Sequence, residues 1–329
     1  MIRDGVAVAS AVKDAANIPM VAEQIPEPPL PAPPHTAYAA GGVLLAFLAY
    51  AFYAISDASV HALNGGIPPF EIGFVGAALG MLLLPLAWRR GTRFRDAIGG
   101  DYPTRWLIRA VAAIVGGLGS IIAFTRLPMP EAFALIFLMP FCVTVLSVLF
   151  LDESIGPWRW ATVIAGFAGV LIVLRPGLRP LDWGHAAAIA CALSSAATVV
   201  MLRKGGTEEG LIAKFVPGVV GAGVVNGLLM IPTFRWPNPS QAVLLLGYAG
   251  LAWLGQYLLL LAARRDTASR IAPPQYSQMI WAVLFSYLLF RQPVDVMTVI
   301  GIIVIIGAGL LTWVREQLRR RARPDLPLQ

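Results

Sequence analysis

Apolar runs of about twenty residues follow one another along most of this chain, separated only by short polar breaks. A helix rises 1.5 Å per residue, so such a run matches the roughly 30 Å hydrocarbon core of a bilayer. Ten runs can be read, at 38–62, 68–88, 104–125, 130–151, 157–174, 184–202, 211–232, 241–262, 269–290 and 295–314. Charged residues make up only 13% and mean hydropathy is +0.72, whereas soluble domains are about a quarter charged. Too little charge remains to solvate a water-facing surface. The pattern predicts an all-α integral membrane fold with ten transmembrane helices.

The positive charges orient such a bundle. With both termini in the cytoplasm and ten alternating spans, twenty Lys and Arg fall inside and five outside. That four-to-one bias supports this orientation. The net charge of +7 is therefore a topology signal, and the expected partner is the lipid bilayer, not nucleic acid. Residues 1–36, with "IPEPPLPAPPH" at 25–35, read as a disordered, proline-rich cytoplasmic tail. Residues 316–329 read as a basic cytoplasmic tail.

Sliding the chain against itself by 139 residues lays "VLSVLFLDE" (145–153) on "LFSYLLFRQ" (284–292), with Ser147 on Ser286. A shift of 140 brings Gly65-Gly66 onto Gly205-Gly206. Two copies of a five-helix unit follow, 37–177 and 180–315. Five is odd, so the second copy runs through the membrane inverted. Inverted repeats place a substrate site near the midplane and let it open alternately to each side.

The stretch "RLPMPEAFALIFLMPFCVTVLSVLFLDESIGPWRWATVIAGFAGVLIVLRPG" (126–177) resembles the first EamA domain of the drug/metabolite transporter superfamily. "IAPPQYSQMIWAVLFSYLLFRQP" (271–293) resembles the matching part of the second. The resemblance covers about 38–315. It implies a ten-helix bacterial inner-membrane carrier of small metabolites such as amino acids, nucleosides, vitamins or S-adenosylmethionine. The chain departs from the pattern at three places. An Asp and Lys four residues apart in many relatives read here as Asp57 and His61. A frequent Arg in the second helix falls near Gly76. A Glu ending the fourth helix of the second repeat is Gln292, in an expected loop.

Intramembrane ionisable residues mark pathways or proton relays. Asp57 and His61, four apart, share a helix face, and together they offer a route for coupling a proton to transport; at a helix end they would instead sit in water. Glu131, after Pro130, is either a first-turn acid suited to the helix dipole or a cavity-facing acid. Gln256 and Tyr257 are candidates for a cavity wall, and Trp281 for stacking on a planar substrate or facing lipid. "PPQYSQ" (273–278) puts a helix breaker beside Gln275, Tyr276, Ser277 and Gln278. Pro274 cannot donate to the carbonyl of Arg270, so the ninth helix is bent or starts late. Its irregular backbone needs protein or a wet cavity around it.

"VGGLGS" (115–120) suits close helix packing. Cys142 and Cys191 lie in apolar runs and read as core filler. No GxSxG, HExxH or phosphate-binding loop is present, so neither an enzyme nor a bound cofactor or metal is expected. The reading is a secondary transporter of a small polar metabolite. A passive channel or an accessory membrane subunit is the alternative.

Overall fold

The computed structural model describes residues 35–87, 103–153, 155–176, 180–204 and 211–322. The expected N-terminal tail through residue 34, the basic loop at 88–102, Gly205-Gly206 and residues 323–329 lie outside them. Contacts divide the chain into 1–37 and 38–329; only the second unit is described further.

The helices are α1 (His35–Leu63), α2 (Pro69–Ala87), α3 (Pro103–Arg126), α4 (Met129–Ile136), α5 (Met139–Leu151), α6 (Pro157–Leu174), α7 (Trp183–Lys204), α8 (Leu211–Met230), α9 (Pro239–Arg265), α10 (Ala268–Ile271), α11 (Ser277–Leu288) and α12 (Val296–Ala322). Among the described residues, eight helical segments are long and apolar enough to cross a membrane, α4 and α5 counting together as Met129–Leu151. Two of the expected spans are shorter. The apolar part of the second is Pro69–Leu82. The ninth is broken into α10, a 3-10 turn at Pro273–Tyr276, and α11 of 12 residues, about 18 Å long at 1.5 Å per residue.

Large apolar side chains point outward all round the bundle; Leu82, Ile164, Leu246 and Ile303 are each at least 60% exposed. An apolar surface of this extent belongs against lipid. The interior is filled by alanines and aliphatic side chains, with Phe124, Phe133 and Phe137 among them. Gly119 of α3 lies so close to α7 that a Cβ there would sit 2.5 Å from the carbonyl of Ala187. This is the close approach expected of the "VGGLGS" run. Gly169 of α6 packs against Ile305 of α12, and Gly166 against Ala308.

Prolines set the breaks. Pro140 has no N–H for the carbonyl of Ile136, so α4 ends there. Leu138 N–H turns to Leu135 O at 3.0 Å and Cys142 N–H to Leu138 O at 3.0 Å, which restarts the helix as α5. The Pro273-Pro274 pair makes the break in the ninth segment that the sequence predicts, with α11 beginning only at Ser277.

The helices run between two ends. One carries Arg126, Glu131, Asp182, His185 and the Arg175–Asp295 ion pair. The other carries Arg203, paired with Glu153 at 3.7 Å, and Arg315, which lies 4.2 Å over the Trp158 ring. They are termed the Asp182 end and the Arg203 end.

Candidate functional site

Inside the bundle lie two neighbouring cavities. A chamber of about 100 Å³ is lined by Asp57, Ser120, Phe124, Phe133, Ile136, Phe137, Met139, Pro140, Gln275 and Gln278. A larger cavity of about 530 Å³, toward the Arg203 end, includes Arg159, Thr162, Arg203, Gln275, Tyr276 and Trp313 in its wall. Phe137, Met139, Pro140 and Gln275 belong to both. The partition is therefore made by the two helix breaks: the α4–α5 kink presents Phe137, and the 3-10 turn presents Gln275.

This arrangement follows from the backbone. A straight fourth helix would carry Phe137 and Pro140 on through its regular spiral. The missing N–H at Pro140 opens it there, against the equally irregular 273–276 segment. Tyr276 rests its ring 5.6 Å from that of Phe137 and packs against Gly309 of α12, where a Cβ would collide with it.

The chamber gathers three of the expected residues, Asp57, Gln275 and Gln278, from two distant parts of the chain. Asp57 brings an acid, and the glutamine amides bring donors and acceptors. One turn before Asp57 on α1, Tyr53 Oη donates to Gln256 Oε1 at 2.7 Å. Beside it, Ser56 Oγ donates to the Tyr248 carbonyl at 2.8 Å. Gln256 is thus tied to the polar face of α1. It is outside both cavity linings.

His61, one turn beyond Asp57 on α1, is outside both cavity linings. Its Nδ1 lies 2.7 Å from the carbonyl of Phe124, and its ring meets Phe290 edge-on at 4.5 Å. The helical partner of that carbonyl would be residue 128, a proline without an N–H. His61 supplies the missing donor, so its Nδ1 carries a proton. Tyr257 is 58% exposed and faces away from the cavities. Trp281 stacks on Phe285 at 5.9 Å and meets Phe47, tilted, at 5.9 Å; it is outside both cavity linings. Ser277 is buried, and its Oγ and Trp281 Nε1 have no hydrogen-bond partner among the described residues.

Glu131 is buried, but its carboxylate does not enter the chamber. Oε1 lies 2.9 Å from Nε2 of His185. His185 is a partner that sequence reasoning passed over, because the two residues are 54 positions apart and on different helices. Ser120, Phe137 and Pro140 were also missed. Pro140, in the middle of an apolar run, was the available signal. Glu71, in the first turn of α2, is buried and accepts from the backbone N–H of Arg235 at 3.2 Å.

At the Asp182 end, links join the first half of the chain to the second: Arg126 to Asp182 at 3.4 Å, Glu131 to His185, and Arg175 to Asp295. The Asp182 carboxyl is held below its ordinary range, first by the Gly184 N–H and then by Arg126.

A lipid-facing bundle whose two halves enclose a chamber holding Asp57, Gln275 and Gln278 has the architecture of a multi-pass membrane transporter. The EamA-like transporter family model matches residues 40–175 and again 182–314, and the chain belongs to that family. It is 28% identical over 224 residues to a riboflavin transporter of Rhizobium johnstonii, covering 68% of this chain and 74% of that one. It is 24% identical over 267 residues to an S-adenosylmethionine uptake transporter of Rickettsia felis, covering 80% and 88%. Similarity to the pseudopaline exporter CntI of Pseudomonas aeruginosa is 24% over 269 residues, 81% and 94%. A solved crystal structure superposes with a TM-score of 0.57 at 20% identity, covering 85% of this chain and 99% of that one, which establishes a shared fold.

Proposed function

We propose that the protein is a secondary carrier that moves a small polar metabolite across the bacterial inner membrane by alternating access. The observation that carries this reading is the position of Asp57. It sits in a chamber shared with Gln275 and Gln278, next to a larger cavity on one side and cross-linked helix ends on the other.

The excess of Lys and Arg supports an orientation with the Arg203 end and both termini in the cytoplasm. The larger cavity then belongs to the inward side, and the cross-linked Asp182 end is the closed outward side. Ten helices follow if Pro69–Ala87 and the broken ninth segment are counted as spans. Several paired features support an inverted repeat. Asp152 and Arg291, 139 residues apart, both have φ 53° after a helix end. Ser147 and Ser286 are both buried. The contacts Gly169–Ile305 and Gly166–Ala308 exchange when one member of each is shifted up by 139 and the other down.

Asp57 would receive a cationic group of the substrate, while Arg159 and Arg203 would attract an anionic part toward the larger cavity. The named substrates of the relatives fit a metabolite of this size, and 530 Å³ lies in the ordinary range of ligand pockets. A continuous polar pore is disfavoured by Phe124, Phe133, Ile136, Phe137 and Met139 in the chamber wall. The energy source is a gradient of the substrate or of protons.

The test is thermal stabilisation of purified protein by a panel of S-adenosylmethionine, riboflavin, amino acids and nucleosides. One class should raise the melting temperature of the wild type and not of Asp57→Asn. If every compound left the wild type unshifted, or shifted both proteins equally, the assigned site would be wrong.

A further inference from the structure

We propose that Glu131 and His185 form a proton-binding site that latches the Asp182 end shut. The proposal rests on the carrier reading above for its role in transport, although proton binding itself does not depend on it.

The site is built from two helix starts. Glu131 stands in the first turn of α4 and His185 in the first turn of α7, so the contact bridges the two halves matched by the family model. Both side chains are about nine-tenths buried. The ring is held at both nitrogens. Nδ1 accepts the backbone N–H of Asp182 at 2.9 Å, and Nε2 faces Glu131 Oε1 at 2.9 Å. With Nδ1 accepting, the neutral ring carries its proton on Nε2 and donates it to the carboxylate.

The feature that makes this a proton site is a second group at Nδ1. The carbonyl oxygen of Asp182 lies 3.1 Å from the same nitrogen. The neutral ring therefore has a donor beside Nδ1, and the doubly protonated ring has an acceptor there. A proton can be gained or lost without moving the imidazole. Gaining it converts a neutral hydrogen bond into a charge-assisted pair with Glu131, which tightens the contact. Opening this end separates the partners and leaves a carboxylate buried without its donor, so opening is linked to the proton count of the pair.

The surroundings are otherwise sparse in charge. Of the elements packed against α4, α3 brings Arg126 beside Asp182 and, toward its far end, Arg105 and Arg109. Asp182 and His185 arrive with α7, which carries Arg203 and Lys204 at its opposite end. Asp57 and His61 are on α1. Helix α6 has Arg159 in its first turn and Arg175 just past its end, paired with Asp295. Residues 277–288 and 296–314 hold no Asp, Glu, Lys, Arg or His. Phe133, in the chamber wall, is two residues from Glu131, so movement of the pair reaches the chamber directly.

The experiment is ¹⁵N-histidine NMR of the full chain in lipid nanodiscs between pH 5 and 8. The chain has three histidines, and His185→Gln assigns the signal. At the alkaline limit His185 should be protonated on Nε2, the opposite tautomer to His61. It should gain a second proton on acidification, and Glu131→Gln, which removes the charge-assisted partner, should move that uptake to lower pH. A His185 signal that does not titrate, or that titrates identically in Glu131→Gln, would overturn the proton site.

A second arm tests the latch without any substrate. Ala188→Cys places a thiol in the buried core of α7 just past His185, and an impermeant maleimide is added from the Asp182 side. Adding His185→Ala should speed labelling several-fold. Equal rates with and without His185 would overturn the latch even if the carrier reading stood.

Discussion

His61 Nδ1 lies 2.7 Å from the carbonyl oxygen of Phe124, on a helix whose next turn is interrupted by Pro128. The proline removes the carbonyl's own partner, and a side chain from another helix replaces it. His61→Ala should therefore destabilise the protein by about 1–3 kcal/mol, the usual penalty for stranding a buried acceptor. Denaturant unfolding in detergent measures this. Ligand affinity should hardly change, which separates a structural His61 from a relay residue.

Tyr257 and Gln275 offer a contrast within the site. Tyr257 is 58% exposed toward lipid, whereas Gln275 lines both cavities. Tyr257→Phe should leave substrate affinity unchanged. Gln275→Ala should weaken it about five- to tenfold, the loss of one hydrogen bond of about 1–1.5 kcal/mol. Titration calorimetry with the stabilising compound distinguishes the two.

Gly119 faces backbone, not a flexible side chain: a Cβ would stand 2.5 Å from the Ala187 carbonyl. Gly119→Val must push α3 and α7 apart. Overpacking of this kind commonly destabilises by about 1–3 kcal/mol, and more where the neighbour cannot move. The yield of monodisperse protein by size-exclusion chromatography should fall sharply, while Gly117→Ala, with open space at its Cβ, should behave as wild type.

Asp182 supplies a pH signature outside the membrane-spanning part. The Gly184 N–H, with Arg126 behind it, keeps its carboxyl below the ordinary range. A carboxyl depressed in the folded state stabilises above its unfolded pKa, and that contribution is lost as pH falls through the folded value. Acidification below about pH 4, the ordinary carboxyl range, should loosen the start of α7 in the wild type. Asp182→Asn keeps an acceptor for Gly184 but does not titrate, so its acid-side melting profile should be flatter.

Much of this was legible in the residues. Apolar run lengths marked the membrane segments, and Pro273-Pro274 marked the break before α11. The acid at 57 inside a span and the polar cluster after the prolines were each legible as candidates, but their meeting in one chamber was not. What could not be read was which helix each polar side chain would meet. His61 looked like a partner for Asp57 because i and i+4 share a face, yet Pro128, just past α3, leaves the Phe124 carbonyl to be met by its ring. Glu131 read as a first-turn acid or a cavity-facing one; it stands in the first turn, but nothing local announces His185 across 54 positions. Tyr257 and Gln256 are adjacent in sequence, and one residue of helical rotation sends one toward lipid and the other to Tyr53. The minor break at Pro140 was visible as a residue but not as the wall between two cavities, since that role depends on the facing 3-10 turn.

The central claim is that Asp57 holds a substrate in a chamber that opens alternately to the two sides. The most direct measurement is counterflow in proteoliposomes, using the compound that stabilises the protein as the radiolabelled probe. The account predicts saturable uptake, accelerated by the same unlabelled compound inside the vesicle. Asp57→Asn should lower it at least about tenfold, as expected for losing a charge-assisted contact of about 1.5–3 kcal/mol. Flux that rises linearly without saturation, or that is equal in wild type and Asp57→Asn, would contradict it.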